Sequence, residues 1–93
     1  MSPAVRNIKP VSPFKILKSS EGNVVLVRLK GGYEYIGQLE LVDGTMNVVL
    51  SNCTEYSNDG KPLLRYGRVV IRGSQVEFIS INYGQVSPEF AHV

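Results

Sequence analysis

Residues 23–81 contain short apolar-rich segments, and in several of them apolar and polar residues alternate with the period of two that is typical of half-buried β-strands. β-branched and aromatic residues are frequent in these segments, and glycine, proline or short polar residues separate them. The pattern predicts five strands, at residues 23–30, 33–42, 46–56, 66–72 and 74–81. Gly31-Gly32, between the first two strands, predicts a two-residue hairpin turn.

The alternation also predicts which side chains share a face. In the second strand it places Leu39 and Leu41 together, and in the third it places Leu50 and Cys53 on opposite faces. Gly37 is the predicted point of sharp bending, because a residue without Cβ permits the curvature that closes a small sheet on itself. Five short strands with one bend predict an all-β fold, a strongly curved antiparallel barrel or open half-barrel.

A short helix is predicted before the sheet. Ser12 fits the N-cap position and Pro13 the first helical position, and Phe14 and Leu17 follow at helical spacing. Because so short a helix is marginal alone, both apolar side chains are expected to dock on an open end of the sheet. Residues 1–11 are expected to form a flexible arm, residues 12–81 the single domain and residues 82–93 a C-terminal extension.

The edges of this sheet predict self-association. The segments predicted as the last two strands, 66–72 and 74–81, contain no proline and no lysine, the residues that usually protect an exposed strand edge. Pairing with another subunit would satisfy their backbone groups. Because the two edges differ, the contact is head-to-tail, and its repetition closes into a ring when the rotation allows.

The composition limits the classes of function. With 43% hydrophobic and 19% charged residues the chain is globular, and its net charge of +2 is too small for nucleic-acid binding through charge alone. Cys53 and His92 are the only cysteine and histidine, so no disulfide, metal site or other cofactor is expected. No catalytic constellation, signal peptide or membrane span is recognisable, and we expect a soluble intracellular protein that is not an enzyme.

Two segments resemble the motifs of the Sm and Sm-like (LSm) proteins. The first segment, LKGGYEYIGQLELVDGTMNVVL, supplies the residues of the first motif: Lys30, Gly32, Gly37, Leu39, Asp43, Met46, Asn47 and Leu50. The second segment, VVIRGSQVEFISI, supplies those of the second: Ile71, Arg72, Gly73 and Ser74. The resemblance spans about residues 12–81 and is closest to archaeal-type members.

The resemblance implies both an architecture and a partner. It implies a short helix followed by a five-stranded, strongly bent antiparallel sheet, the Sm fold, which is a small SH3-like open barrel. It also implies homo-oligomeric rings of six or seven subunits, with seven expected here and stacking of rings left open, built by pairing the fourth and fifth strands of neighbours. Uridine-rich single-stranded RNA is the expected partner, bound around the central pore.

Four residues carry the RNA-binding role that the resemblance implies. One base in the family lies between a loop side chain and the arginine of the second motif, which is Arg72 in this chain. Asn47 offers both a donor and an acceptor to the uracil edge. Asp43 is expected to orient Asn47, and Gly73 to permit the tight turn beside Arg72. Outside the family context, Arg72 reads as a solvated charge and Asn47 as a turn residue that bonds its own backbone.

Two positions depart from the family pattern. Thr45 stands where an aromatic residue or histidine usually stacks on the base, so stacking on that side is expected to be weak. Ser74 replaces the more usual aspartate or asparagine and keeps a hydroxyl for hydrogen bonding.

The leading hypothesis is a ring that binds U-rich RNA in RNA processing or as an RNA chaperone. The alternative is a structural ring that scaffolds other proteins with little direct RNA binding. The expected location is the cytoplasm of an archaeal cell, or the nucleus or cytoplasm of a eukaryotic one.

Overall fold

The computed structural model describes residues 13–81, in which one helix precedes five strands. The elements are α1 (Pro13–Ser19), β1 (Val24–Leu29), β2 (Glu34–Val42), β3 (Val48–Tyr56), β4 (Pro62–Ile71) and β5 (Val76–Ser80). The strands form one antiparallel sheet in the order β4-β3-β2-β1-β5, and a 3₁₀ turn (Gly73–Gln75) connects β4 with β5. The predicted fold class is confirmed. The predicted arm, the N-cap residue Ser12 and the C-terminal extension with His92 lie outside the described residues.

The core lies inside the curve of the sheet, under α1. Its fully or almost fully buried side chains come from the helix and the first four strands: Leu17, Val25, Val27, Leu39, Val42, Val48, Leu50, Cys53 and Ile71. Phe14 is partly buried against this cluster, so Phe14 and Leu17 dock as predicted, whereas Ile16 is exposed. Glu21 fixes the end of the helix, because its carboxylate accepts hydrogen bonds from the Val42 amide (3.1 Å) and from Lys18 (2.9 Å).

The sheet bends at the predicted glycine. The pairing of β2 with β3 passes from Ile36↔Thr54 to Gln38↔Ser51, so Gly37 lies opposite a bulge in β3. Asn52 takes up the extra residue with a φ of 48°, a conformation that asparagine tolerates better than most residues. A Cβ on Gly37 would lie 3.0 Å from the Cα and Cβ of Cys53, so glycine permits this close approach.

The two bulges correct the predicted faces. The bulge at Asn52 returns Cys53 to the buried face that holds Leu50, so the prediction that they point to opposite faces was wrong. A second shift, between Leu39 and Leu41, turns Leu41 outward (49% exposed) and Val42 inward (1% exposed). The prediction that Leu39 and Leu41 share a face was therefore also wrong, because each bulge reverses the alternation that follows it.

The strand ends differ from the predicted ones. β4 begins at Pro62 rather than Tyr66, so its first position is protected by a proline, as is common on an edge strand. β3 begins at Val48 because Met46, with a φ of 68°, has left the extended conformation. β5 begins at Val76, since the residues before it form the 3₁₀ turn.

The turn between β1 and β2 has three residues rather than the two predicted. The Gly32 amide donates to the Leu29 carbonyl (2.9 Å), and the Leu29 amide donates to the Tyr33 carbonyl (2.8 Å). Gly32 has a φ of 95°, which suits the left-handed third position of a three-residue hairpin loop. Lys30 is thus part of the loop.

Candidate nucleic-acid interface

Asp43 organises the loop between β2 and β3, residues 43–47, which we call the Asp43 loop. Its Oδ1 accepts hydrogen bonds from the Thr45 amide (2.9 Å), the Thr45 hydroxyl (2.7 Å) and the Asn47 amide (3.0 Å). These donors, the Thr45 hydroxyl foremost and then the Asn47 amide, lower the pKa of Asp43 below its ordinary value. The carboxylate therefore stays ionised and holds the loop in one conformation.

Asn47 ties the Asp43 loop to the connection between β4 and β5. Its Nδ2 donates to Asp43 Oδ2 (3.1 Å) and to Thr45 Oγ1 (3.1 Å). Its Oδ1 accepts a hydrogen bond of 2.8 Å from the backbone amide of Gly73, which is 26 residues away in sequence. One half-buried side chain thus joins two segments that the sheet places side by side.

Gly73 is required where the two segments touch. A Cβ at this position would overlap the carbonyl oxygen of Thr45 and would lie 2.8 Å from the carbonyl carbon and oxygen of Met46. Met46 contributes through its left-handed backbone, and its side chain packs against the core. The alternation of apolar residues gives no signal for this conformation, so the role of Met46 was not predicted.

Arg72 and Ser74 flank Gly73 and are both exposed. Arg72 has extended backbone dihedral angles, and its side chain borders a groove of about 320 Å³ that is also lined by Tyr35, Tyr66 and Gln75. Within residues 13–81, no carboxylate lies within ion-pair distance of the Arg72 guanidinium, and the Ser74 hydroxyl makes no hydrogen bond.

The six predicted site residues therefore fall into two groups in the structure. It joins Asp43, Thr45, Asn47 and Gly73 in one hydrogen-bond network, and it places Arg72 and Ser74 beside that network without joining them to it. The arrangement offers a guanidinium face and an amide oxygen, groups that suit the bases and phosphates of single-stranded RNA. In the described part of the chain, no group of three or more acidic, histidine or cysteine side chains is placed to hold a metal ion. None of the helices described there could span a membrane.

A family model for the LSM domain matches residues 15–81. The chain belongs to the Sm-like (LSM) family. The resemblance carried by the two motifs is thereby confirmed. Among Sm-like relatives, the U6 snRNA-associated Sm-like protein LSm6 of Lodderomyces elongisporus is 43% identical over 72 residues, which are 77% of this chain and 89% of that protein.

Solved Sm-like structures share the fold. The Sm protein of Pyrococcus abyssii, determined in complex with a uridine heptamer, is 40% identical and superimposes with a TM-score of 0.72 over 75% of this chain and 97% of that one. A heptameric archaeal Sm protein is 36% identical, with a TM-score of 0.65 over 71% of this chain and 94% of that one. These likenesses to archaeal proteins support the predicted resemblance to archaeal-type members.

Proposed function

We propose that this Sm-like protein assembles into a ring of seven identical subunits and binds U-rich single-stranded RNA at its Asp43 loop and Arg72. The observation that carries the proposal is the hydrogen bond of 2.8 Å from the Gly73 amide to Asn47 Oδ1, which holds the Asp43 loop beside Arg72. The uridine heptamer bound by the Pyrococcus abyssii protein, at 40% identity, supports the choice of ligand. The cellular role is RNA processing or RNA chaperoning.

The two edges of the sheet support the ring. The outer strands are β4 and β5, and within residues 13–81 neither has a partner on its outer side. Large apolar side chains are exposed on both, at Leu64 (58%) and Val70 (70%) of β4 and Phe78 (47%) of β5. An apolar cavity of about 480 Å³ runs along β5 between Leu17 and Phe78, and the groove beside Tyr66 follows β4. Pairing β4 of one copy with β5 of the next covers both surfaces.

Ring closure gives a weak site useful affinity. Each copy presents one exposed Arg72 guanidinium, which can stack on a base and face a phosphate. Thr45 offers no ring face, so each subunit contributes modestly on its own. Seven copies around one opening bind a single strand together, and the linked contacts raise the overall affinity without a new contact.

We propose that the protein binds RNA and does not catalyse a reaction. It acts in the cytoplasm of an archaeal cell, or in the nucleus or cytoplasm of a eukaryotic one. The competing function is a ring that scaffolds other proteins, and the absence of an aromatic ring at Thr45 is the observation in its favour. The two functions predict different effects of Arg72 on RNA affinity, because a scaffolding ring does not need its guanidinium to contact a base.

The RNA-binding test compares labelled oligouridine with oligoadenine for the wild type and Arg72→Ala. We expect oligouridine to bind more tightly, and Arg72→Ala to weaken its binding by about fivefold or more, since a stacked base contributes roughly 1 to 3 kcal/mol. Arg65→Ala, which removes an exposed arginine from the other end of β4, is the matched control and should change the affinity little. Binding that is indifferent to both the base and Arg72 would favour the scaffold.

The ring test uses native mass spectrometry. The wild type should appear at seven times the mass of one chain, and Phe78→Asp should shift it towards monomers by placing a charge on the β5 edge. Leu41→Asp is the control, because Leu41 is as exposed (49%) but lies on the central strand β2. A wild-type monomer, or a ring that survives Phe78→Asp and not Leu41→Asp, contradicts assembly through these edges.

A further inference from the structure

The hydrogen-bonding capacity of the Asn47 amide is almost fully used before any ligand arrives. A primary amide has two N–H donors and an oxygen with two lone pairs. Both donors of Asn47 are engaged, one by Asp43 Oδ2 and one by Thr45 Oγ1, each at 3.1 Å. The Gly73 amide occupies one lone pair of Oδ1 at 2.8 Å. What remains for a base is the second lone pair of Oδ1, an acceptor.

The Thr45 hydroxyl is fixed in its direction as well. Its single proton is donated to Asp43 Oδ1 at 2.7 Å, so towards Asn47 the hydroxyl acts as an acceptor. The ionised state of Asp43, whose pKa is lowered first by this hydroxyl, maintains the direction at neutral pH. The hydroxyl therefore accepts a hydrogen bond from one Asn47 N–H group. A residue without a hydroxyl at position 45 would leave that N–H group free to donate to the ligand.

We propose that Thr45 is a positioning residue that sets base specificity through Asn47, so that the pocket recognises a base by its ring imino N–H and does not read the O4 carbonyl of uracil. The proposal rests on the RNA-binding function proposed above and specifies how that site selects its ligand. Uracil, with its N3–H, and guanine, with its N1–H, present the required donor. Adenine and cytosine place a ring nitrogen lone pair against the same Asn47 oxygen and are disfavoured.

The test measures the affinity of the full chain for uridine oligomers and two analogues. In 4-thiouridine the sulfur is a much weaker acceptor than O4, and at slightly acid pH the base keeps its N3 proton. In 3-methyluridine the N3 donor is removed. For the wild type we expect uridine and 4-thiouridine oligomers to bind within about twofold of each other, and the 3-methyluridine oligomer to bind at least about fivefold more weakly, the loss of one hydrogen bond.

Variants at position 45 test the role of the hydroxyl. Thr45→Val removes it at nearly constant shape and frees one Nδ2 proton, so uridine should now be preferred over 4-thiouridine by about five- to tenfold. Thr45→Ser restores the hydroxyl and should return the ratio to the wild-type value. Thr54→Val makes the same chemical change within β3, away from the Asp43 loop, and should leave the ratio unchanged.

The outcomes separate the two proposals. A wild type that binds no uridine oligomer overturns the RNA-binding function, and the specificity proposal with it. A wild type that binds uridine oligomers but prefers them severalfold over 4-thiouridine overturns the specificity proposal alone, whether or not any variant folds. If Thr45→Val leaves the ratio of the affinities for uridine and 4-thiouridine oligomers unchanged, the specificity proposal alone is likewise overturned.

Discussion

The loops at the two ends of β3 use the same local chemistry but differ in what they reach. The Asp43 loop precedes β3, and the loop of residues 57–61, which we call the distal loop, follows it. In each, a carboxylate accepts from a hydroxyl two residues away: Asp43 from Thr45, and Asp59 from Ser57. In each, that hydroxyl is the main cause that lowers the pKa of the carboxylate.

The difference lies in the connection to a distant segment. Among the described residues, the hydrogen bonds of the distal loop stay within it, as in the bond of 3.2 Å from the Lys61 amide to Ser57 Oγ. The Asp43 loop instead extends through Asn47 to Gly73. Short polar residues thus suffice to shape a turn, whereas a site between two segments also needs a side chain that crosses and a glycine that admits it.

The most damaging single change to the Asp43 loop should be Gly73→Ala. The added Cβ overlaps the Thr45 carbonyl, and backbone atoms cannot move aside as a flexible side chain can. We expect a loss of about 3 kcal/mol in the free energy of unfolding, at the upper end of the range for overpacked sites. Urea denaturation measures this loss, and oligouridine binding should fall in parallel because the two segments separate.

Gly44→Ala provides the matched control within the same loop. A Cβ on Gly44 meets no atom within 4 Å, and its φ is not in the left-handed region, so the free energy of unfolding should change by less than about 0.5 kcal/mol. Equal losses for Gly73→Ala and Gly44→Ala would mean that the close approach at Gly73 does not matter.

An intermediate effect is expected from Asn47→Ala. The change leaves the Gly73 amide without its acceptor, and an unsatisfied, partly buried donor costs about 1 to 2 kcal/mol. Asn58→Ala in the distal loop, where Asn58 is exposed and crosses to no other segment by a hydrogen bond among residues 13–81, should cost less than about 0.5 kcal/mol. A distal-loop variant as destabilising as Asn47→Ala would remove the distinction between the two loops.

The fold was predictable because local signals encode most of it. The glycines at 31, 32 and 37 mark a turn and the bend, and the apolar pattern gives the number of strands and their succession along the chain. The bulges are not encoded in this way. Asn52 adopts its φ of 48° because β3 must pass around Gly37 of β2, and only the pairing of the two strands reveals that the phase has changed.

The sequence names the residues of the candidate site but not the hydrogen bonds among them. The two family motifs indicate both loops, and Asp43-Gly44 is a recognisable turn signal. The bond from Gly73 to Asn47 spans 26 residues, and the left-handed Met46 that aligns them has no local signature. For the same reason the sequence suggests Asn47 as both donor and acceptor, while the folded chain has already used its two donors.

The smallest expected effect is that of acid pH, which compares the Asp43 loop and the distal loop in one experiment. Because the pKa of Asp43 and that of Asp59 are lowered in the folded chain, each carboxylate stabilises its loop fully above the ordinary value of 3.8, and the contribution is lost as pH falls through the lowered pKa. Amide NMR shifts should report both transitions, at Thr45 for one loop and at Lys61 for the other. The Gly73 amide should titrate together with Thr45, since protonated Asp43 releases Asn47.

In Asn47→Ala, Thr45 should still titrate and Gly73 should not. A Gly73 shift that stays constant in the wild type while Thr45 moves would show that the Asp43 loop is as self-contained as the distal one.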